Sequence, residues 1–341
     1  MPSLSAPDEQ VEHLRRTLQG AHRVAITTHL NPDGDALGSS YGLAGVLRRL
    51  GHEVLVVLPN TPSAALRWIP GHADAIAHDT DPEACESAVR GCDVLFCLDF
   101  NRTDRVGKLE EAVKAAAVKV LIDHHQDPEP FAQVVFSDTT ACATAQMVYD
   151  IVAALGHTEL IDADAATCLY TGMATDSGWF RFRSTTPHTM RVAAGLMERG
   201  VAVDRVYQAV SDDNTEDRLR LLGFTLSERM TVLHELGTTV IGLGREDLQR
   251  FNYRSGDTEG FVNYGLSVRG VRLSAFFAER DKEVKLSLRS RGALPVDRFA
   301  KEHFNGGGHT NAAGGQTTEP LHEAIVRFKR LLPAFISAHP E

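Results

Sequence analysis

Short apolar runs alternate along this chain with stretches whose apolar residues recur every three to four positions. Val24 to Thr28, Glu53 to Leu58, Asp93 to Leu98 and Val118 to Ile122 are the runs, rich in branched residues and nearly continuous in apolar character. Such runs suit strands buried on both faces, as in a parallel sheet covered by helices. Helical patterning marks Val11 to Gln19, Ala36 to Leu50, Glu110 to Ala117, Thr140 to Leu155, Asp162 to Ala174, Pro187 to Arg199 and Val203 to Val210. Gln133 to Phe136 reads as one more short strand. The helix from Ala36 begins with small residues (Gly38, Ser39, Ser40, Gly42), which let it lie close to the sheet, and Gly51 ends it. Strand, helix, strand in succession predicts βαβ units with right-handed crossovers.

The polar stretch SDDNTEDR, Ser211 to Arg218, breaks this pattern. We expect a first domain over residues 1–210, a connecting segment over 211–236 with a helix from Leu219 to Leu236, and a second domain over 237–341. In the second domain Thr239 to Leu243 reads as a strand, and Val271 to Ala278 with Glu283 to Leu288 as a hairpin around Asp281-Lys282. Asp297 to Phe304 is a short helix, Asn305 to Gly315 a glycine-rich loop, and Leu321 to Ala338 a closing helix. The expected fold class is α/β: a mainly parallel sheet flanked by helices, followed by a smaller α/β domain.

Composition narrows this only at the edges. With 341 residues, 43% apolar and 23% charged, the chain has the profile of an ordinary globular protein. A net charge of −10 argues against coating long duplex nucleic acid, though a few local cations can still hold a short phosphorylated ligand. No apolar stretch approaches the roughly 20 residues of a membrane span. Asp8, Glu9 and Glu12 sit where a secretory signal would be basic and then apolar. The cysteines, at 85, 92, 97, 142 and 168, are odd in number and form no close CxxC pair, so a reducing cytoplasm is expected.

The chemistry gathers at strand ends. The stretch KVLIDHHQ runs from an apolar strand straight into Asp123, His124 and His125. The first strand leads into His29, Asp33 and Asp35, the third into Asp99, and the helix from Asp162 into Asp176. Open parallel sheets place binding crevices at the carboxyl ends of their strands. Taken singly, Asp33 and Asp35 read equally well as turn residues beside Pro32 and Gly34, and Asp99 as a helix cap. Taken together, His29, Asp33, Asp35, Asp99, His124 and Asp176 form a mixed imidazole–carboxylate set suited to divalent ions such as Mn. Four carboxylates balance two divalent cations, and such a pair, about 3.5–4 Å apart, can activate a water for attack on phosphorus. His124 and His125 are neighbours, which on an extended chain sends them to opposite sides and into different tasks. Asp33 and Asp35, two apart in a locally extended turn, should diverge in the same way.

Two further stretches suit an anion. Gly306, Gly307, Gly308 and His309 offer backbone N–H groups and an imidazole, and Arg289 in SLRS offers a forked donor. Arg291 reads as a solvated surface charge, whereas Arg183, in WFRFR beside Asp176, can reach the cluster.

HxxxDxD at His29, Asp33 and Asp35, then Asp99, Asp123-His124-His125 and Asp176 resemble the motifs of DHH phosphoesterases. EGFVNYGLSVRGV, KLSLRS and GGGHTNAAGG resemble the DHHA1 domain that accompanies them. The resemblance runs from about residue 22 to about residue 335 and is strongest to the NrnA-like oligoribonuclease (nanoRNase) and pAp phosphatase group. It implies two Mn ions: one on His29, Asp33 and Asp99, the other on Asp35, Asp99, His124 and Asp176, with Asp99 shared. It also implies that His125 faces the phosphate, that Asp123 orients the site from behind, and that Arg289 and His309 hold the remote part of the substrate. The implied reaction is hydrolysis of oligonucleotides of about two to five residues, an estimate for a cleft with few subsites, and of pAp to AMP. A phosphodiesterase for cyclic or linear dinucleotides is the alternative within the class, and a non-catalytic nucleotide sensor the alternative outside it. The sequence leaves a homodimer open.

Overall fold

The computed structural model describes residues 8–20, 22–212 and 214–340. Residues 1–7 of the acidic start and Asp213 of the expected connector lie outside the described residues. The chain divides into two compact units, Met1–Asp213 and Asn214–Glu341. Both are α/β, as expected from the patterning. Among the described residues no helix is long and apolar enough to cross a membrane.

In the first unit the elements run α1 (Asp8–Thr17), β1 (Arg23–Thr27), α2 (Gly34–Arg49), β2 (Glu53–Leu58), β3 (Ile76–Ala77), α3 (Pro82–Gly91), β4 (Val94–Leu98), α4 (Glu110–Ala115), β5 (Lys119–Asp123), β6 (Val134–Ser137), α5 (Thr144–Leu155), α6 (Ala163–Asp176), α7 (Pro187–Met197) and α8 (Val203–Tyr207). The six strands form one sheet in the order β3-β2-β1-β4-β5-β6, every pair parallel. The continuous apolar runs are explained by two cores, because successive side chains point to opposite faces. Val24, Ile26, Phe96, Leu98, Val120 and Ile122 pack under α1, α2, α5 and α6. Ala25, Leu95, Cys97 and Leu121 pack under α3 and α4. The strand order reverses between β1 and β4, and in doubly wound sheets this is where the carboxyl ends open a crevice.

Helices α2 and α6 cross closely because glycines face each other. A Cβ placed on Gly38 would lie 2.4 Å from the Cys168 carbonyl oxygen and 2.9 Å from the Gly172 nitrogen. Gly38→Ala should therefore destabilise the first unit by about 1–3 kcal/mol through overpacking, reversing the roughly 1 kcal/mol that the same change gains in an open helix. Urea unfolding of the full chain reads the sign, and a raised midpoint would contradict this close crossing.

The second unit runs α9 (Glu216–Phe224), β7 (Met230–Leu233), β8 (Thr238–Leu243), α10 (Arg245–Arg250), α11 (Phe261–Leu266), β9 (Leu273–Glu279), β10 (Val284–Ser290), α12 (Val296–His303), β11 (Gly307–His309), β12 (Ala312–Thr317) and α13 (Leu321–Ala338). Its sheet order is β11-β12-β10-β9-β8-β7, mixed in direction. On one face Leu273, Ala275, Phe277, Val284, Leu286 and Leu288 pack with α12 and α13. On the other, Ile241, Phe276 and Ala278 pack with Phe261 and Val262 of α11. The helix expected from Leu219 to Leu236 is corrected. The helical stretch gives way to a π-turn over Thr225–Arg229, and Met230–Leu233 becomes an edge strand paired antiparallel with β8. MTVL is as good a strand as a helix end, and pairing decides it. The glycine-rich loop is also corrected, since Gly307–His309 and Ala312–Thr317 form a hairpin.

Candidate metal centre

The first sheet brings the strand-end residues together. Asp33 is the N-cap of α2, its Oδ1 accepting the N–H groups of Asp35 and Ala36 at 3.0 Å. Capping starts the helix two residues before the expected Ala36, so Asp35 sits in the first helical turn and not in an extended loop. The two carboxylates nonetheless serve different neighbours. His29 Nε2 lies 3.8 Å from Asp33 Oδ1 and 3.4 Å from Asp99 Oδ2. His124 Nε2 lies 3.5 Å from Asp99 Oδ1, 3.6 Å from Asp176 Oδ2 and 3.9 Å from Asp35 Oδ2. Asp99 thus turns one oxygen to each histidine. It does so from a left-handed backbone, φ 63°, where β4 ends. Asp176 is the last residue of α6.

In both histidines Nδ1 is taken up by a backbone carbonyl, which leaves Nε2 facing the carboxylates. A carbonyl can only accept, so Nδ1 of His29 donates to Leu30 O at 3.0 Å and Nδ1 of His124 to Ala141 O at 3.3 Å. His125 is held differently. Asp123, fully buried at the end of β5, accepts the backbone N–H of His125 at 3.1 Å and its Nδ1 at 2.7 Å. The expected divergence of His124 and His125 is not observed: their rings meet edge to face at 5.2 Å. The reason is local, because the extended strand stops at Asp123 and the clamp folds His125 back. Their contacts still differ, with His124 directed at three carboxylates and His125 tied to Asp123.

The charges are unbalanced. Burial works against a charged Asp99, yet the His29 hydrogen bond and the charges of His125, His29 and His124 hold its carboxyl below the usual range. Burial, then the Asp99 and Asp176 carboxylates, pushes Asp35 well up. Asp176 is pushed up to about 6, by burial and by Asp33 and Asp99 against the opposing His124. Burial disfavours a charged His124, but Asp176, Asp99 and Asp35 outweigh it and raise its pKa to about 9. His29 is raised in the same way by Asp33 and Asp99 despite its burial. Among the described residues no lysine or arginine pairs with these four carboxylates. A divalent cation would supply the missing charge, and the donor types fit one.

A pH dependence follows with a definite sign. In the metal-free protein His124 keeps its proton up to about pH 9, whereas a metal ligand must be neutral. Cation affinity should rise with pH below about 9 and level off above it. Binding at pH 7.5 should release protons, measurable by calorimetry in two buffers of different ionisation enthalpy. Identical heats in both buffers would count against His124 as a ligand.

Arg183 lies exposed in the turns after α6, and no hydrogen bond or ion pair joins it to the cluster. In the second unit, Arg289 of β10 pairs with Ala312 of β12, and Ala312 with His309 of β11. These three therefore stand in one row on one face of the sheet. The glycines before His309 have separate reasons. A Cβ on Gly306 would lie 2.0 Å from Gly314 O, and one on Gly308 2.4 Å from Ala312 O, so the hairpin itself demands them. Only Gly307 faces open space. Sequence reasoning missed Thr144, whose hydroxyl donates to Asp99 Oδ1 at 2.9 Å across 45 residues. Nothing in a local pattern marks it.

A doubly wound sheet with an imidazole–carboxylate cluster at its switch point defines an α/β protein whose strand ends could hold metal ions. Residues 23–173 match the DHH family N-terminal domain, and residues 237–338 match the DHHA1 domain. The bifunctional oligoribonuclease and PAP phosphatase NrnA of Thermus thermophilus is 34% identical over 85% of this chain and 83% of its own. The Bacillus subtilis protein of the same name is 26% identical over 88% of this chain and 91% of its own. An exopolyphosphatase-related protein from Bacteroides fragilis superposes with a TM-score of 0.94 at 35% identity, over 97% of this chain and 98% of that one. The chain belongs to the DHH family, and it is a phosphoesterase.

Proposed function

We propose that this protein hydrolyses oligonucleotides of about two to five residues to mononucleotides, the length being set by a site with few subsites, and converts pAp to AMP. The observation that carries the reading is Asp99, whose two carboxylate oxygens address two separate groups of donors. His29, Asp33 and Asp99 would hold one divalent cation, and Asp35, Asp99, His124 and Asp176 a second. Manganese suits this mixture of nitrogen and oxygen donors. Bound there, the cations supply Lewis acidity and lower the pKa of an attacking water. Asp123 keeps His125 in one orientation, in which its ring serves the reacting phosphate. Arg289 and His309, on one row of the second sheet, hold the remote phosphate or nucleotide. The NrnA relatives, matched along most of their length, support both substrate classes.

The test compares initial rates on a dinucleotide, a 24-mer, pAp, linear pApA, cyclic di-AMP and pyrophosphate, with Mn, Mg or Zn and after chelation. The dinucleotide and pAp should lead, with Mn the best cofactor. Turnover confined to pyrophosphate or to cyclic di-AMP would replace this reading, and no turnover of any substrate would leave a nucleotide sensor.

A further inference from the structure

We propose that Thr144 is a positioning residue for the metal centre: its hydroxyl sets the rotation of the Asp99 carboxylate, and a buried polar strut from α7 holds the first turn of α5 in place for it. This rests on reading the cluster as a metal centre.

Helix α5 begins without a cap of its own. Ala143 precedes it and offers no side-chain acceptor. The N–H groups of Thr144 and Ala145 instead donate to the two oxygens of Asp35, at 2.6 and 2.9 Å. A ligand candidate from α2 thus satisfies the helix start, and the helix end in turn favours its charge. From the same turn, Thr144 Oγ1 donates to Asp99 Oδ1 at 2.9 Å. A hydroxyl has one proton to donate, so this bond selects one oxygen and fixes the carboxylate plane. Carboxylate torsions are otherwise broad. The selection matters because Oδ2 is turned to His29 and Oδ1 to His124. Thr144 is itself fully buried, so the surrounding packing confines its side chain.

The other side of the same turn is pinned as well. Thr189 Oγ1 of α7 donates to Gln146 Oε1 at 2.8 Å, and Gln146 Nε2 reaches Asp150 Oδ2 at 3.5 Å. His188 Nε2 donates to both oxygens of Asp150, at 2.8 and 3.0 Å. Thr189, Gln146 and Asp150 are all buried. A buried polar network of this kind fixes the rotation of one helix against another more sharply than apolar packing does. It contains no ligand of the cluster. Its effect on the cluster passes through α5, and Thr144 is where α5 touches Asp99.

The test uses the full chain, Mn2+ as the titrant in calorimetry, and kcat and KM on a dinucleotide. Thr144→Val keeps the shape and removes the hydroxyl, whereas Thr144→Ser keeps the hydroxyl. Thr144→Val should weaken Mn2+ binding and lower kcat by about 10–100-fold, the usual cost of losing a partner behind a metal ligand, with KM little changed. Thr144→Ser should recover most of both, and Gln146→Leu should shift both in the direction of Thr144→Val by less. Wild-type Mn2+ affinity and kcat in Thr144→Val would overturn the proposal, and so would a Thr144→Ser as impaired as Thr144→Val. If Thr144→Val does not fold, normal Mn2+ affinity in Thr144→Ala overturns it instead. A wild-type chain that binds no divalent cation would sink the metal-centre reading and this proposal together.

Discussion

Asp99→Asn should lower kcat/KM at saturating Mn2+ by at least about a thousandfold, roughly 4 kcal/mol of transition-state stabilisation, in a chain that stays folded. The activity loss follows from the split carboxylate. An amide has one oxygen to offer, so its nitrogen must face either the His29 side or the His124 side, and both sides lose the negative charge between them. The fold should survive for two reasons. Asn adopts the left-handed region better than other non-glycine residues, and position 99 has a φ of 63°. The side chain reaches Thr144, His29, His124 and His125, and Asn has nearly the same shape, so the apolar packing of β4 should be untouched. Asp99 repels Asp35, but His29, His125 and His124 hold it charged, so removing its charge gives up those attractions and thermal unfolding without metal should shift downward in a chain that still folds. Near-wild-type turnover in the variant would remove Asp99 from the site.

The legibility of this fold follows burial. Strands β1, β4 and β5 are packed on both faces, so their sequences are almost uninterrupted apolar runs and stand out. Helix α3 escaped because, within it, only Cys85 and Val89 are buried, too few for a helical period. Its signal lay in its start, where Asp81 caps and Pro82 occupies the first turn. Strand β3 has only two residues. Strand β12 reads AAGGQT, which has little strand propensity, and it forms because β10 and β11 pair with it on both sides.

The site divides along a similar line. Residues delivered by strand ends and turns could be collected, because parallel strands bring their carboxyl ends to one edge whatever lies between them in sequence. Side-chain directions could not. The clamp of Asp123 on His125 depends on where β5 stops. Thr144 depends on the start of α5 meeting the residue that follows β4, which no local spacing encodes. The glycines at 306 and 308, read from the sequence as an anion loop, are required by the close approach of β12 whether or not they bind an anion.

Arg289→Ala should slow a dinucleotide by about 10–150-fold in kcat/KM while leaving a simple aryl phosphate nearly unchanged. The range corresponds to the roughly 1.5–3 kcal/mol of a hydrogen bond to a charged group. The argument starts from the sheet register. Arg289, Ala312 and His309 lie on adjacent strands at one level, so with strands about 4.8 Å apart the outer two stand about 10 Å from one another. Between them Ala312 projects only a methyl group, and Ser287, Gly314 and Gly307 form the next row on the same face, small and uncharged. Such a surface would suit one nucleotide, its phosphate engaged by the guanidinium. Binding energy from a group remote from the reaction can be spent on orienting the reacting phosphate. A dinucleotide or pAp carries such a group, and an aryl phosphate does not. Each further nucleotide adds a phosphate that the net charge of −10 does little to attract. In the wild type, rates should therefore fall steeply between two and twenty-four nucleotides at fixed Mn2+, and in Arg289→Ala that slope should flatten from the short end. Flat wild-type rates over chain length, or equal slowing of every substrate by Arg289→Ala, would show that this row does not read the substrate.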